Sequence, residues 1–123
     1  MLIIDGDTQS RTMLGRALRA GLMLAETAVT GEEGLERLNL MEYDLVVLDV
    51  DLPGIDGFHV IQTLRRRGSR VPIIVVSSHS EDYEQLYALD LGADDFVTKP
   101  FNPVLFAAKA RALVRRSRGM PLE

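Results

Sequence analysis

Leu45-Val46-Val47-Leu48, followed at once by Asp49-Val50-Asp51, is an unbroken apolar run that ends on acids. Apolar residues without alternation fit a strand covered on both faces, as in a parallel sheet. Ile73-Ile74-Val75-Val76 repeats the pattern and ends on Ser77. These two segments are therefore expected as central strands. Working outward, Leu2-Ile3-Ile4 gives another strand before Asp5-Gly6-Asp7, and Thr8 to Ala20 places Met13, Leu14, Ala17 and Leu18 at helical spacing. Gly21 ends that helix, and Leu22 to Val29 is read as a second strand. Thr30-Gly31-Glu32-Glu33 has the spacing of a capping box and opens a helix to about Met41. Helices are expected over Gly57–Arg67, Asp82–Leu91 and Pro103–Arg116, with a short strand at Phe96–Thr98 and Asn102-Pro103 marking the last helix start.

Five strand–helix units in alternation predict a doubly wound α/β fold. The expected form is a five-stranded parallel sheet in a (βα)5 flavodoxin-like sandwich, with its polar site at the carboxyl ends of the strands. At 123 residues the chain makes one domain, and 46% hydrophobic with 26% charged residues disfavours disorder and coiled coil. Without cysteine there is no disulfide framework, thiolate metal site or cysteine nucleophile. No apolar run reaches the ~18 residues of a membrane span and no signal-peptide layout opens the chain, so a cytoplasmic protein is expected. The charge is uneven: 17 of 18 acids lie at or before Asp95, whereas six of the seven charged residues after it are basic. Arg115, Arg116 and Arg118 are read as a solvated helix end rather than a nucleic-acid motif. The domain is placed at 1–116, with 117–123 as a linker or cloning remnant.

Asp5, Asp49, Ser77 and Lys99 each follow or end a strand of this scheme, so distant parts of the chain converge on one sheet edge. Lone acids such as Asp56 and Asp94-Asp95 are explained by caps and turns. A carboxylate, a hydroxyl and an ammonium delivered together describe phosphoryl chemistry: a nucleophile, a hydrogen-bond donor and a cation for the phosphoryl oxygens.

Residues 45–57, residues 71–78 and Gly92-Ala93-Asp94-Asp95-Phe96-Val97-Thr98-Lys99-Pro100-Phe101 together resemble the receiver domain of two-component response regulators, over essentially the whole chain. The resemblance implies that Asp49 accepts a phosphoryl group from a sensor histidine kinase. It further implies that Ser77 is the switch hydroxyl, Phe96 the switch aromatic and Lys99 the phosphate-binding lysine, with a cis Lys99-Pro100 bond. Mg²⁺ is the implied cofactor, held by Asp5, Asp49 and the backbone carbonyl of Asp51. Here the sequence departs from the pattern, because Gly6 stands where most receivers carry the second acid, the direct metal ligand. Mg²⁺ fills its octahedron with water and tolerates few carboxylates, so weak binding is one expectation and a degenerate, phosphorylation-independent receiver the other. Asp7 is expected to cap the first helix, and the Asp51 side chain to stand in partly for the lost acid. His79 faces either solvent or the path of water to the phosphoryl group; His59 is expected at the surface.

The end of the chain resembles the OmpR-like, winged-helix subfamily of transcription factors. That likeness implies a homodimer through the fourth helix, fifth strand and fifth helix, and contact with DNA only through a C-terminal domain that is not part of this sequence. Tyr87 and Leu105 replace the usual charged residues, and with Leu91 they predict an apolar dimer face. Tyr83, Tyr87 and Leu91 also have core spacing, for which Leu86 and Leu89 compete. The chain is not expected to be an enzyme. A haloacid-dehalogenase-like phosphohydrolase is the alternative suggested by Asp49-Val50-Asp51, but the order of its parts argues against it.

Overall fold

A computed structural model describes residues 1–79 and 81–118. Its strands are β1 (Leu2–Ile4), β2 (Glu26–Ala28), β3 (Val46–Leu48), β4 (Ile73–Ser77) and β5 (Asp95–Thr98). Its helices are α1 (Thr8–Ala20), α2 (Gly31–Leu40), α3 (Gly57–Arg66), α4 (Asp82–Leu91) and α5 (Pro103–Ser117), one after each strand. The sheet order is β2-β1-β3-β4-β5 with every pairing parallel, so the chain reverses its direction of winding between β1 and β3. Ligands in such sheets collect at that switch, outside the carboxyl ends of the strands.

Strand residues alternate between two cores, which is why both apolar runs lack polar positions. Leu2, Ile4, Val46, Leu48, Ile73 and Val75 face Leu35 of α2, Val60, Ile61 and Leu64 of α3 and Ala88 of α4. Ile3, Val47, Ile74 and Val76 face Leu14 and Leu18 of α1 and Phe106, Ala110 and Leu113 of α5. Asp7 caps α1, accepting from Ser10 N–H at 3.0 Å, and Asp56 caps α3, accepting from His59 N–H at 2.9 Å. Thr30 caps α2, while Glu33 accepts from Val29 N–H, one residue before the position a capping box uses. Asn102 Oδ1 accepts from Val104 and Leu105 N–H at the start of α5.

Three readings change. The second strand is three residues long rather than running from Leu22, because Leu22 adopts φ 66° and is 95% exposed. Leu22 N–H and Met23 N–H donate to Arg19 O and Leu18 O, so these residues complete the end of α1. In α4 the fully buried residue is Ala88; Tyr83, Leu86, Tyr87 and Leu89 are exposed, and Leu91 is half-buried against the core. Leu91 is thus largely committed to the fold, whereas Tyr87 and Leu105 are open. Helix α5 runs one residue past the expected boundary, to Ser117, and residues 119–123 of the expected tail lie outside the described residues. Among the described residues no helix is long and apolar enough to cross a membrane.

Candidate functional site

Backbone hydrogen bonds extend the ladder just beyond the strands and fix the polar residues in register. Asp5 N–H donates to Ala28 O at 3.1 Å, Asp49 N–H to Ile4 O at 2.9 Å and Lys99 N–H to Ser77 O at 2.8 Å. The loop after β3 is held by Gly57, whose N–H donates to Val50 O at 3.0 Å. A Cβ at Gly57 would lie 2.6 Å from the Asp49 carbonyl oxygen, so only glycine lets α3 start this close to the acid-bearing loop. Lys99-Pro100 is cis.

Three of the four expected groups meet directly. Lys99 Nζ lies 3.0 Å from Asp5 Oδ2 and 3.3 Å from Asp49 Oδ2, although these residues are 94 and 50 positions away in sequence. Asp5 is 1% exposed and Asp49 8%. Ser77 ends β4, fully buried, with its Oγ accepting from His79 N–H at 3.0 Å. Phe96, in β5, is half-buried against the core that α2, α3 and α4 cover. Asp7 is taken up by its cap, as expected.

One ammonium between two carboxylates leaves the cluster anionic. Burial pushes the Asp49 carboxyl above its ordinary range and the charge of Asp5 adds to that, outweighing the Asp51 N–H and Lys99. Burial alone would lower the Lys99 ammonium, but its hydrogen bond to Asp5 and the two carboxylate charges raise it, so it stays a cation. The remaining oxygens are partly engaged: Asp5 Oδ1 accepts from Asp7 N–H at 2.9 Å and Asp49 Oδ1 from Asp51 N–H at 3.0 Å.

The Asp5 and Asp49 carboxylates are hard oxygen donors of the kind that suits a Mg²⁺ keeping most of its waters. Among the described residues no group of three or more His or acidic side chains is arranged to hold a metal. At the missing position, a Cβ on Gly6 would meet Pro53 Cδ at 3.2 Å and Val29 O at 3.5 Å. The Asp51 carboxylate turns from the pocket to His79, with Oδ2 2.8 Å from Nε2, while Glu84 Oε1 stands 4.0 Å from Nδ1. His79 therefore bridges the loops after β3 and β4 rather than standing free in solvent.

Two supporting residues were not singled out from sequence. Ser10 Oγ donates to Asp5 Oδ2 at 2.5 Å, and Arg11 Nη1 donates to Asp5 O at 2.8 Å. Both sit in the opening turns of α1, where serine and arginine are ordinary, so no sequence signal separates them from surface residues.

Residues 1–111 match the family described as response regulator receiver domain. The chain is 43% identical over 117 residues to the transcriptional regulatory protein AfsQ1 of Streptomyces coelicolor, covering 94% of this chain and 51% of that protein. It is 37% identical to the alkaline phosphatase synthesis transcriptional regulatory protein PhoP of Bacillus subtilis, covering 95% and 49% respectively. The chain thus spans about half the length of these relatives. The receiver domain of the Francisella response regulator 1452 superposes with a TM-score of 0.90 at 26% identity, over 94% of this chain and 96% of that one. Receiver domains of this kind are signalling modules rather than classical enzymes, and they generally bind Mg²⁺ at the acidic site. By sequence, fold and site position alike, this chain belongs to the response regulator receiver domain family.

Proposed function

We propose that Asp49 is the phosphoryl acceptor, taking the group from the phosphohistidine of a sensor kinase. The observation that carries this is Lys99 Nζ between Asp5 and Asp49, an ammonium held where phosphoryl oxygens would arrive. One Asp49 carboxylate oxygen attacks phosphorus as the bond to the imidazole nitrogen breaks, and Lys99 neutralises charge on the equatorial oxygens. Mg²⁺, when bound by Asp5, Asp49 and the Asp51 carbonyl, supplies further neutralisation of the carboxylates and the incoming group. The aspartyl phosphate then offers acceptor oxygens to the Ser77 hydroxyl. Turning inward, Ser77 would give up its bond from His79 N–H and leave room for the Phe96 ring, shifting the population of the α4–β5–α5 surface.

Intact mass after exposure to acetyl phosphate tests the assignment. One added phosphoryl group that disappears in Asp49→Ala is expected, and modification that persists in that variant overturns it. Gly6 supports a finer reading, in which Mg²⁺ binds weakly and modification needs more of it than sub-millimolar levels. Asp49 modification that saturates in sub-millimolar Mg²⁺ overturns that refinement alone.

The output reading is transcriptional: the relatives are regulators of about twice this length, and a DNA-binding segment beyond the receiver is proposed to carry the response. Exposed apolar side chains on both helices, Leu86, Tyr87 and Leu89 on α4 and Leu105 on α5, support homodimerisation through this part of the surface. The Tyr87 ring also packs on Phe58, with centroids 4.9 Å apart, which fixes its orientation. Sedimentation equilibrium of the chain should show a dimer that Leu105→Glu dissociates. A monomer at high concentration, with or without beryllofluoride, overturns this part.

A further inference from the structure

The end of the sheet opposite Asp49 gathers arginines from two separate segments. Arg66 ends α3, Arg67 caps it and Arg70 follows; Arg115 and Arg116 lie in the last turn of α5 and Arg118 caps it. Arg70 and Arg116 line one shallow concavity with Pro72, Leu113 and Asp94. Arg70 also borders an adjoining one that contains Asp44 and Glu42. Two of these acids are already engaged. Asp94 Oδ2 accepts from Arg65 Nη2 at 3.2 Å and from Ile73 N–H at 2.8 Å, and Asp44 Oδ2 accepts from Arg118 Nη2 at 2.5 Å. Glu42 remains as a single local countercharge. Arg67 donates to Asn39 Oδ1 at 3.0 Å, whereas the side chains of Arg66, Arg70 and Arg116 have neither an ion pair nor a hydrogen bond among the described residues.

Helix dipoles favour cations in a last turn, which accounts for an arginine at the end of α3 and of α5. They do not account for Arg70, which lies beyond α3, or for its sharing a concavity with Arg116. Unpaired guanidinium groups on one surface match an array of phosphates, to which their planar forks bind bidentately. No aromatic ring lines the concavity of Arg70 and Arg116, and Tyr43, which lines the adjoining one, is tied through its hydroxyl to Glu26 Oε1 at 2.5 Å, so the surface offers phosphates more than it offers bases. The acids of the Asp49 pocket lie at the other end of the sheet and would turn this end toward a polyanion.

We propose that this arginine-rich base binds the sugar–phosphate backbone of duplex nucleic acid, without reading its sequence. The proposal goes beyond phosphoryl transfer at Asp49 and does not depend on it.

Fluorescence anisotropy of a short labelled DNA duplex, titrated with the chain from low to physiological salt, tests it. Binding independent of sequence is expected, with log affinity falling against log salt at a slope of about −2 to −4. Arg70→Glu should weaken binding about tenfold and flatten the slope by about one or more. Arg16→Glu, an equal charge reversal on exposed α1, should stay within about twofold. Circular dichroism and the unfolding midpoint check that both variants fold. The proposal is overturned if the duplex is not bound at low salt, or if the two variants lose affinity equally. Tighter binding to polyglutamate or to phosphatidylserine vesicles than to the duplex also overturns it. Phosphoryl labelling of Asp49 is measured on the same samples, and its failure would count against the Asp49 assignment alone.

Discussion

Gly6→Asp is the substitution that most directly probes the metal site. An added Cβ meets Pro53 Cδ at 3.2 Å, a few tenths of an ångström too close, and Gly6 does not have the positive φ that would exclude a side chain. The ring of Pro53 must therefore yield slightly, and the new carboxylate joins Asp5 and Asp49 with Lys99 as the one cation bonded to both. At about 6 Å and an effective dielectric of about 20, each like-charge contact costs at most about 3 kcal/mol. The mouth of the pocket is open at Asp51 and His79, so solvent reduces that cost, and the metal-free variant should lose about 1 kcal/mol.

Magnesium should reverse this loss. A further direct carboxylate ligand is expected to tighten binding by about tenfold or more, roughly 1.4 kcal/mol. At a Mg²⁺ concentration equal to the wild-type Kd, the stabilisation from binding rises from about 0.4 to about 1.4 kcal/mol. For a domain of this size a further 1 kcal/mol moves Tm by about 3–5 °C. The assay is thermal unfolding over a Mg²⁺ series, with a chelator as baseline. Equal Mg²⁺-dependent shifts in the two proteins, or a wild type already saturated below millimolar Mg²⁺, would refute the reasoning.

Because burial raises the Asp49 carboxyl above its ordinary range, the native state holds its proton to higher pH than the unfolded state, and stability falls as pH rises through that interval. Asp49→Asn should thus raise Tm at neutral pH, by on the order of 1 kcal/mol in stability, and change little below the unfolded value of ~3.9. Lys99→Ala leaves two adjoining carboxylates without their cation, and urea unfolding should show a loss of about 2–3 kcal/mol at pH 7. Since the Lys99 pKa is raised, that difference should hold at pH values below ~10.4 and shrink as pH climbs past the folded value. Gly57→Ala forces a methyl group into contact with the Asp49 carbonyl, and a loss above about 2 kcal/mol is expected, with slower Asp49 labelling by acetyl phosphate.

The sheet was legible because its central strands are unbroken apolar runs, and much of the site because Asp5, Asp49 and Ser77 each follow such a run. Val46–Leu48 and Ile73–Ser77 are buried throughout, the pattern of strands covered on both sides, and their alternation with helical segments points to a parallel sheet. β2 was less legible for the opposite reason. It is an edge strand with two exposed residues of three, and of the apolar residues before it Leu22 lies in the turn that closes α1 while Leu24 is exposed in the connection that follows. Side-chain direction was also hidden: Asp51 sits two residues beyond Asp49, yet its carboxylate faces His79, a contact between two loops that spacing cannot reveal. The same holds for Ser10, whose hydroxyl reaches Asp5 only because α1 starts directly over the end of β1.

A charge reading along the chain is the other case where folding alters meaning. In sequence, Arg115, Arg116 and Arg118 form a short run at a helix end, and Arg65-Arg66-Arg67 with Arg70 is another separated from it by over forty residues. Parallel strands send every helix back toward the same edge of the sheet, so the ends of α3 and α5 must return to one side. The loops that follow the strands must in turn gather on the other side, where Asp5, Asp49 and Lys99 meet. A single topological constraint therefore puts the Asp5–Asp49–Lys99 pocket and the arginine-rich base at opposite ends of the sheet, and it keeps the proposed phosphoryl acceptor apart from the proposed polyanion site.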